Sequence, residues 1–421
     1  MKKNIWIFNH YATNMYFDNG GRHYWFAKYL KQADYNPVIF CANTLHGFDK
    51  SVDTNEQLYI EKRDNLDRIP FVFVKTPQYK KNGISRINNM LSFYFHLFKV
   101  AKSFQKEHGK PDIILASSVH PLTLVAGIQI ARKLNIPCIC EVRDLWPESI
   151  VAYGRLKEGS LLSKLLYKGE KWIYKNAAAL IFTMEGGKDY IKDKKWDRKN
   201  GGRIDLGKVY YINNGIDLTA ALENKKLYPY KNEQFDHIKG RKIIYTGSIR
   251  EVNDIGLILD AAKLLHDCDI TFCIFGDGEE REKLERRVTK EQIDHVIFFG
   301  KVDKKYIPDI VSKAALLLLL YAKEISDVAK YGMSQNKLFD YLASGQPIVS
   351  NLPNRYSIIN KYDCGIEKGI PTAELLAGQI RDMIQDEKNM YRWGENSKST
   401  AKAFSFEEHT KKLITIIEKT S

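Results

Sequence analysis

The residues best placed to do chemistry form one short run, Ser334-Gln335-Asn336-Lys337-Leu338-Phe339-Asp340. Ser334 can cap a helix, Gly345 can end it and Pro347 stops its continuation, so a short helix is expected directly after the apolar run 316–320. The start of such a helix leaves backbone N–H groups unpaired and favours a phosphate. Lys337 would add a point charge to a diphosphate, and Asp340, one turn deeper, could accept both hydroxyls of a ribose. The same letters also suit a plain capped helix with a surface Lys–Asp pair.

A second candidate is Asp18-Asn19-Gly20-Gly21-Arg22-His23, which follows the apolar run Ile5-Trp6-Ile7-Phe8 and opens a helical pattern. Gly20 and Gly21 let backbone N–H groups approach a phosphate with no Cβ in the way. The run is not the G-x-G-x-x-G fingerprint of dinucleotide sites. His120 follows the run 112–116, and Arg143 with Asp144 follows 137–142, so all three fall at the expected carboxyl ends of strands. Asp267-Cys268-Asp269 has the letters of an Asp-x-Asp metal site, but it lies between a helical pattern and the run 270–275 and reads as a surface connection. No metal and no resident cofactor is expected. The six cysteines show neither C-x-x-C spacing nor metal spacing with His.

The elements that must position these residues follow a repeated rhythm. Apolar runs at 5–8, 38–41, 71–74, 112–116, 137–142, 179–183 and 209–212 alternate with longer amphipathic stretches, the pattern of a parallel sheet with helices on both faces. A polar, Lys- and Asn-rich stretch then runs to Lys239, and strands resume at 242–246, 270–275, 296–299, 314–320 and 348–350. The expected fold is α/β, with two Rossmann-like doubly wound domains facing across a cleft. They span residues 1–217 and 218–403, and the amphipathic segment 404–421 is expected to pack back on the first. With 421 residues, 44% hydrophobic and 28% charged, the chain can bury two cores, which excludes a disordered or fibrous protein.

The net charge of +14 is all in the first half, where residues 1–215 hold 34 Lys+Arg against 20 Asp+Glu. Such a half attracts phosphate-bearing partners: nucleic acid, an anionic membrane surface or a phosphorylated substrate. Nucleic acid lacks support from any helix-turn-helix, zinc or RNP-like signal. Residues 86–104 are rich in aromatics, and Leu161-Leu162-Ser163-Lys164-Leu165-Leu166-Tyr167-Lys168 mixes Leu pairs with Lys. Either could lie on an anionic bilayer, and either also suits a core helix with a solvated charged face. The Met1-Lys2-Lys3 start leads straight into a strand, so a cytoplasmic protein, peripheral on a membrane, is expected.

Several further runs carry a resemblance that covers nearly the whole chain. They are Gly20-Gly21, Ile212-Asn213-Asn214-Gly215-Ile216-Asp217, Tyr245-Thr246-Gly247-Ser248, Phe275-Gly276-Asp277-Gly278-Glu279, Phe299-Gly300-Lys301-Val302 and the Lys337–Asp340 helix. In this order the chain resembles the retaining GT-B glycosyltransferases of family 4. The run Glu141-Val142-Arg143-Asp144-Leu145-Trp146-Pro147-Glu148-Ser149 looks like the branch that builds bacterial capsule and O-antigen polysaccharides on a polyprenyl-diphosphate lipid.

The resemblance implies a metal-independent transfer from a UDP-sugar, of the N-acetylated hexosamine type, to a lipid-linked saccharide at the inner face of a bacterial inner membrane. It implies that Asp340 holds the ribose and that the backbone at Lys301 and Val302 meets the base. Gly276 and Asp277 belong to the same donor side, with Ser334, Gln335, Asn336 and Leu338 at the helix start. Lys337, with Gly20, Gly21 and the Ser248–Arg250 loop, would surround the diphosphate. Such enzymes are thought to need no protein nucleophile, so the protein must stabilise the leaving diphosphate, a task that suits Arg250 and Lys337. Arg143, Asp144 and His120 could bind the acceptor diphosphate or the transferring sugar. Arg143 and Asp144 could instead pair with each other, and His120 could only line the site.

Two departures stand out. The family often places two acidic residues eight positions apart, and here those positions hold Gly332 and Asp340. Its strand-end loop often carries Arg and, six residues on, Lys, and here reads Ser248 and Asp254, with Arg250 the candidate replacement. These departures keep open a degenerate transferase-like binding subunit. A UDP-sugar epimerase of similar shape is the alternative enzyme.

Overall fold

The structure is a computed structural model and describes residues 2–45, 51–64, 66–79, 83–118, 120–325 and 329–420. It divides into two compact units, Met1–Asn213 with Phe406–Ser421, and Asn214–Ser405. The first crossing thus lies before Asn214 rather than after residue 217, and the return lies at Ser405/Phe406 rather than after 403.

The first unit holds one eight-stranded sheet. Its strands are β1 (Asn4–Phe8), β2 (Asn36–Ala42), β3 (Tyr59–Arg63), β4 (Pro70–Val74), β5 (Ile113–Ser117), β6 (Cys138–Val142), β7 (Ala179–Phe182) and β8 (Val209–Tyr211). The order is β3-β4-β2-β1-β5-β6-β7-β8, parallel throughout except for β3 against β4. β4, β5, β6 and β7 are buried at every residue, as strands covered on both faces must be. β3, Tyr-Ile-Glu-Lys-Arg, is an edge strand with no apolar run, which is why periodicity does not reveal it.

The crossover helices of this unit have readable ends. α1 (Arg22–Gln32) starts at Gly21, and α2 (Ile84–His108) ends at Gly109, whose φ is 83°. α3 (Pro121–Leu134) has Pro at its first position and a left-handed Asn135 at its end. α4 (Leu161–Asn176) is capped by Ser160, whose hydroxyl accepts from the Ser163 N–H at 3.2 Å. α3 packs between β5, β6, α2 and α4.

The second unit holds β9 (Arg241–Thr246), β10 (Ile270–Phe275), β11 (Val296–Gly300), β12 (Leu316–Leu319), β13 (Ile348–Ser350) and β14 (Gly365–Glu367). All are parallel, in the order β11-β10-β9-β12-β13-β14. Helix α5 (Asn336–Ser344) ends at a left-handed Gly345, with Pro347 two residues on. The last helix, α6 (Phe406–Thr420), belongs to the first unit, where it packs on α1. Its Phe406 meets Phe26 edge-on at 5.6 Å, and Leu413, Ile416 and Ile417 are buried. Among the described residues no helix is long and apolar enough to cross a membrane.

With the antiparallel β3 set aside, each sheet reverses its strand order once. In the first unit the reversal lies between β1 and β5, and in the second between β9 and β12. In open α/β sheets the crevice outside the carboxyl ends of such a pair of strands is where ligands bind.

Candidate active site

In the second unit the candidate residues converge at the β9/β12 crevice. α5 does not follow β12 directly, since residues 320–335 intervene, and Gln335 rather than Ser334 is its N-cap. Ser334 is used otherwise: its hydroxyl accepts from the Asn214 N–H at 3.3 Å and its carbonyl from Asn214 Nδ2 at 2.7 Å. Gln335 accepts from the Tyr321 hydroxyl, Asn336 is exposed and Leu338 is buried in the core. Tyr341 anchors the helix across the crevice, accepting from the Thr246 N–H of β9 at 2.9 Å and donating to the Leu318 carbonyl of β12 at 3.2 Å.

Lys337 is consequently held over the end of β9. Its Nζ donates to the Tyr245 hydroxyl at 2.9 Å and to Asn253 Oδ1 at 3.4 Å, and it lies 4.3 Å from the Tyr245 ring centroid. These partners are neutral, and among the described residues no carboxylate pairs with it. Burial pushes its pKa down to about 7. Asp340, half-buried one turn deeper, makes no side-chain hydrogen bond or ion pair among the described residues. Burial pushes its carboxyl up, opposed by Lys304.

The remaining donor-side residues sit on the neighbouring strand ends. Gly247 N–H donates to the Phe275 carbonyl, Ile249 N–H to the Asp277 carbonyl and Gly276 N–H to the Gly300 carbonyl, at 2.9, 2.9 and 2.8 Å. A Cβ on Gly276 would lie 1.7 Å from the Gly247 carbonyl oxygen, so only glycine permits this zipping of loops. It places Ser248, Gly276 and Asp277 on contiguous backbone, with Lys301 exposed and Val302 partly buried just beyond β11. The carbonyl and hydroxyl of Ser248 both accept from Asn253 Nδ2, at 2.9 and 3.0 Å. Arg250 is exposed and carries no ion pair among the described residues. Gly332 has φ +100°, a conformation that an acidic side chain adopts only under strain. The missing first carboxylate is thus built into the backbone.

In the first unit the candidates lie at the β1/β5 crevice and beside it. Gly21 is the N-cap of α1 with φ 107°, and a Cβ there would meet Met15 Cγ at 2.9 Å, so its glycine also serves packing. Gly20 lies over Trp25, 3.2 Å from where a Cβ would stand. His120 caps the start of α3 and shares a hydrogen bond of 2.7 Å with His10 Nδ1 across the crevice. Burial pushes its pKa down to about 3, assisted by Arg86, so it is neutral and a weak base. Its Nδ1 is buried with no partner. This suits a neutral hydrogen bond to a ligand better than proton transfer.

Arg143 and Asp144 do not pair. The Arg143 N–H donates to Ser118 Oγ at 3.0 Å, and its buried Nε has no partner. Asp144 is exposed, and the protein around it pushes its carboxyl up, opposed by Arg143. Ser118, His120, Leu124, Asp144, Trp146 and Glu170 line one small concavity here. Glu170 accepts from the hydroxyls of Tyr174 and Tyr190 at 2.6 and 2.8 Å, and burial lifts its pKa to about 8.

The sequence motifs also contain a role that spacing does not reveal. Glu141, the one charged residue of β6, accepts from Arg22 Nε at 2.8 Å, His23 Nε2 at 3.0 Å and Ser117 Oγ at 2.8 Å. Burial opposes its ionisation, but Arg22 and His23 more than offset this and hold the carboxyl well below the usual range. Arg22 also donates to the carbonyls of Ile212 and Asn213, the last residues before the crossing. An acid inside an apolar strand was the available signal, but its basic partners Arg22 and His23 lie more than a hundred residues away. Asp267 of the Asp-x-Asp letters is paired with Arg381 at 2.8 Å.

Comparison with known proteins decides the family of this arrangement. Residues 24–220 match Glycosyltransferase Family 4 and residues 231–400 match Glycosyl transferases group 1. The chain carries the paired domains of the GT-B glycosyltransferases. It is similar to sucrose-phosphate synthase from Thermosynechococcus elongatus, with 16% identity, 99% of each chain covered and a TM-score of 0.71. Anabaena HepE, solved in complex with UDP, matches with 13% identity, 100% of each chain covered and a TM-score of 0.65. Among curated proteins, the probable glycosyltransferase WbjE of Pseudomonas aeruginosa is 24% identical over 234 residues, a match spanning 54% of each chain. The uncharacterized glycosyltransferase MJ1178 of Methanocaldococcus jannaschii is 24% identical over 322 residues, covering 76% of this chain and 78% of its own.

Proposed function

We propose that this GT-B glycosyltransferase moves a sugar, of the N-acetylated hexosamine type, from a UDP-sugar to a polyprenyl-diphosphate-linked saccharide with retention. The observation that carries the reading is Lys337, an amine held at the β9/β12 crevice beside a helix start with only neutral hydrogen-bond partners. A diphosphate is the group that would satisfy it, and a ribose would satisfy Asp340. That Anabaena HepE of the same fold was solved with UDP supports the choice of nucleotide.

In the transfer, the bond between the anomeric carbon and the diphosphate oxygen breaks, and its electron pair leaves with the diphosphate. The acceptor hydroxyl oxygen bonds to the same face of that carbon, and its proton passes to an oxygen of the leaving diphosphate. Lys337 and the exposed Arg250 stabilise the developing charge. Neutral His120, Arg143 and Asp144 orient the acceptor side.

Thermal unfolding against UDP, GDP and ADP tests the donor site. A nucleotide at about 100 times its dissociation constant adds roughly 2.7 kcal/mol of stability. The expected result is stabilisation by UDP that Asp340→Ala removes; stabilisation by no nucleotide sinks the reading. Gly332 favours one alternative, a binding subunit, which would be stabilised by UDP yet transfer no sugar to a lipid-linked acceptor.

A further inference from the structure

The first unit leaves apolar surface uncovered where a core helix should be polar. α2 buries Phe93, Leu97, Val100 and Phe104 on one side. On the opposite side, at spacings of three, four and four, stand Ile84, Ile87, Leu91 and Phe95, exposed by 86%, 53%, 38% and 61%. Between residues 84 and 98 the only charged residue is Arg86, and its Nε donates to the Tyr11 hydroxyl at 3.0 Å. A core helix with a solvated charged face therefore does not describe this half of α2. α4 repeats the pattern: Leu161, Leu162 and Leu165 of its first turns are 86%, 56% and 63% exposed. Ile84 and Leu161 are the two most exposed large apolar side chains among the described residues.

Both patches occupy one rim. α2, α3 and α4 are successive crossovers into β5, β6 and β7, so each begins at the carboxyl end of the strands. α3 packs against both α2 and α4. The start of α2 is tied to the start of α3 through Arg86 and Tyr11, through the Tyr11 ring stacked on His10 at 4.5 Å, and through the His10–His120 bond of 2.7 Å. The exposed apolar side chains thus flank the end of the unit that carries His120.

We propose that this rim docks on an anionic bilayer, with Ile84, Ile87, Leu91 and Leu161, Leu162, Leu165 in the acyl boundary and Lys164 and Lys168 at headgroup level. The inference deepens the lipid-linked acceptor reading and rests on it only for its purpose; the surface itself does not require it. Charge selects the occupant. Residues 151–200 carry 12 Lys+Arg against 6 Asp+Glu, and Lys164 and Lys168 are exposed beside the leucines. A second copy of the chain would set these like-charged faces together, whereas anionic lipid neutralises them.

Flotation of the full chain with phosphatidylcholine vesicles, alone or mixed with phosphatidylglycerol, tests the surface. The expected result is binding to the anionic vesicles at low salt, release by salt, and little binding to the neutral ones. Ile84→Glu with Leu161→Glu abolishes binding, and Lys164→Ala lowers the partition coefficient roughly fivefold. These side chains are exposed, so an unchanged unfolding temperature shows that the variants fold. Failure of the wild type to float overturns the proposal, as does a double variant that floats like wild type. A dimer in sedimentation that Ile84→Glu dissolves overturns it in favour of self-association. The vesicles carry no saccharide, so flotation without UDP stabilisation would retire the transfer reading and leave the docking surface standing.

Discussion

The Glu141 set of the first unit and the Lys337–Asp340 helix of the second place ionisable groups in opposite ways. Beside the β1/β5 crevice one ionic set closes on itself, with Arg22 and His23 on Glu141, while Arg143 and Asp144 nearby do not pair. At the β9/β12 crevice Lys337 and Asp340 have no charged hydrogen-bond partner among the described residues, and burial pushes each toward its neutral form. Burying a charge without a partner is costly, so a fold keeps such a group only where something outside the protein completes it. The Glu141 set shapes the first unit, and under the proposed function a diphosphate and a ribose complete Lys337 and Asp340 in the second.

Breaking the paired set should cost stability. Glu141→Ala leaves the Arg22 guanidinium buried and uncompensated, and a loss of about 3–5 kcal/mol is expected in denaturant unfolding. A change within experimental error would show that Arg22 can reach water and would remove the contrast. Breaking the unpaired set should cost turnover instead. Lys337→Ala is expected to lower kcat roughly hundred- to thousandfold, as loss of a preorganised electrostatic stabiliser does, without lowering the unfolding temperature. Lys337→Ala that unfolds as readily as Glu141→Ala would make the lysine structural. A smaller effect is expected from Gly332→Glu, which restores the acidic pattern on a backbone at φ +100°. Strain of about 1–3 kcal/mol should appear in unfolding, with no gain in turnover.

The same contrast marks what could be read from the sequence. Strands buried on both faces, such as β5, β6 and β10, announce themselves as continuous apolar runs, and the order of glycine-bearing strand ends led to the GT-B pattern. β3 and β14 went unread because a half-polar edge strand and the three residues Gly365-Ile366-Glu367 carry no periodicity. Lys337 and Asp340 were legible as residue types at helical spacing. The desolvation of Lys337 was not, because it depends on Tyr245 and Asn253, more than eighty residues earlier in the chain. Nor did letters alone separate the two faces of α2, both of which are apolar.

Proton linkage gives the finest test of the contrast. Lys337 has a pKa of about 7 against an ordinary 10.5, so between these values the unfolded chain holds a proton that the folded one lacks. Stability contributed by this site therefore rises with pH across that window, and it is lowest below 7, where the ammonium is charged in both states. A bound diphosphate reverses the balance by favouring the ammonium. Above pH 7, UDP binding should take up a proton at Lys337, and affinity should fall with pH by up to about tenfold per unit. Calorimetry in two buffers of different ionisation enthalpy reads this uptake directly. Equal heats in the two buffers would mean that Lys337 takes up no proton on binding and that another group, such as Arg250, neutralises the diphosphate. Loss of the buffer difference in Lys337→Met would place the proton on Lys337.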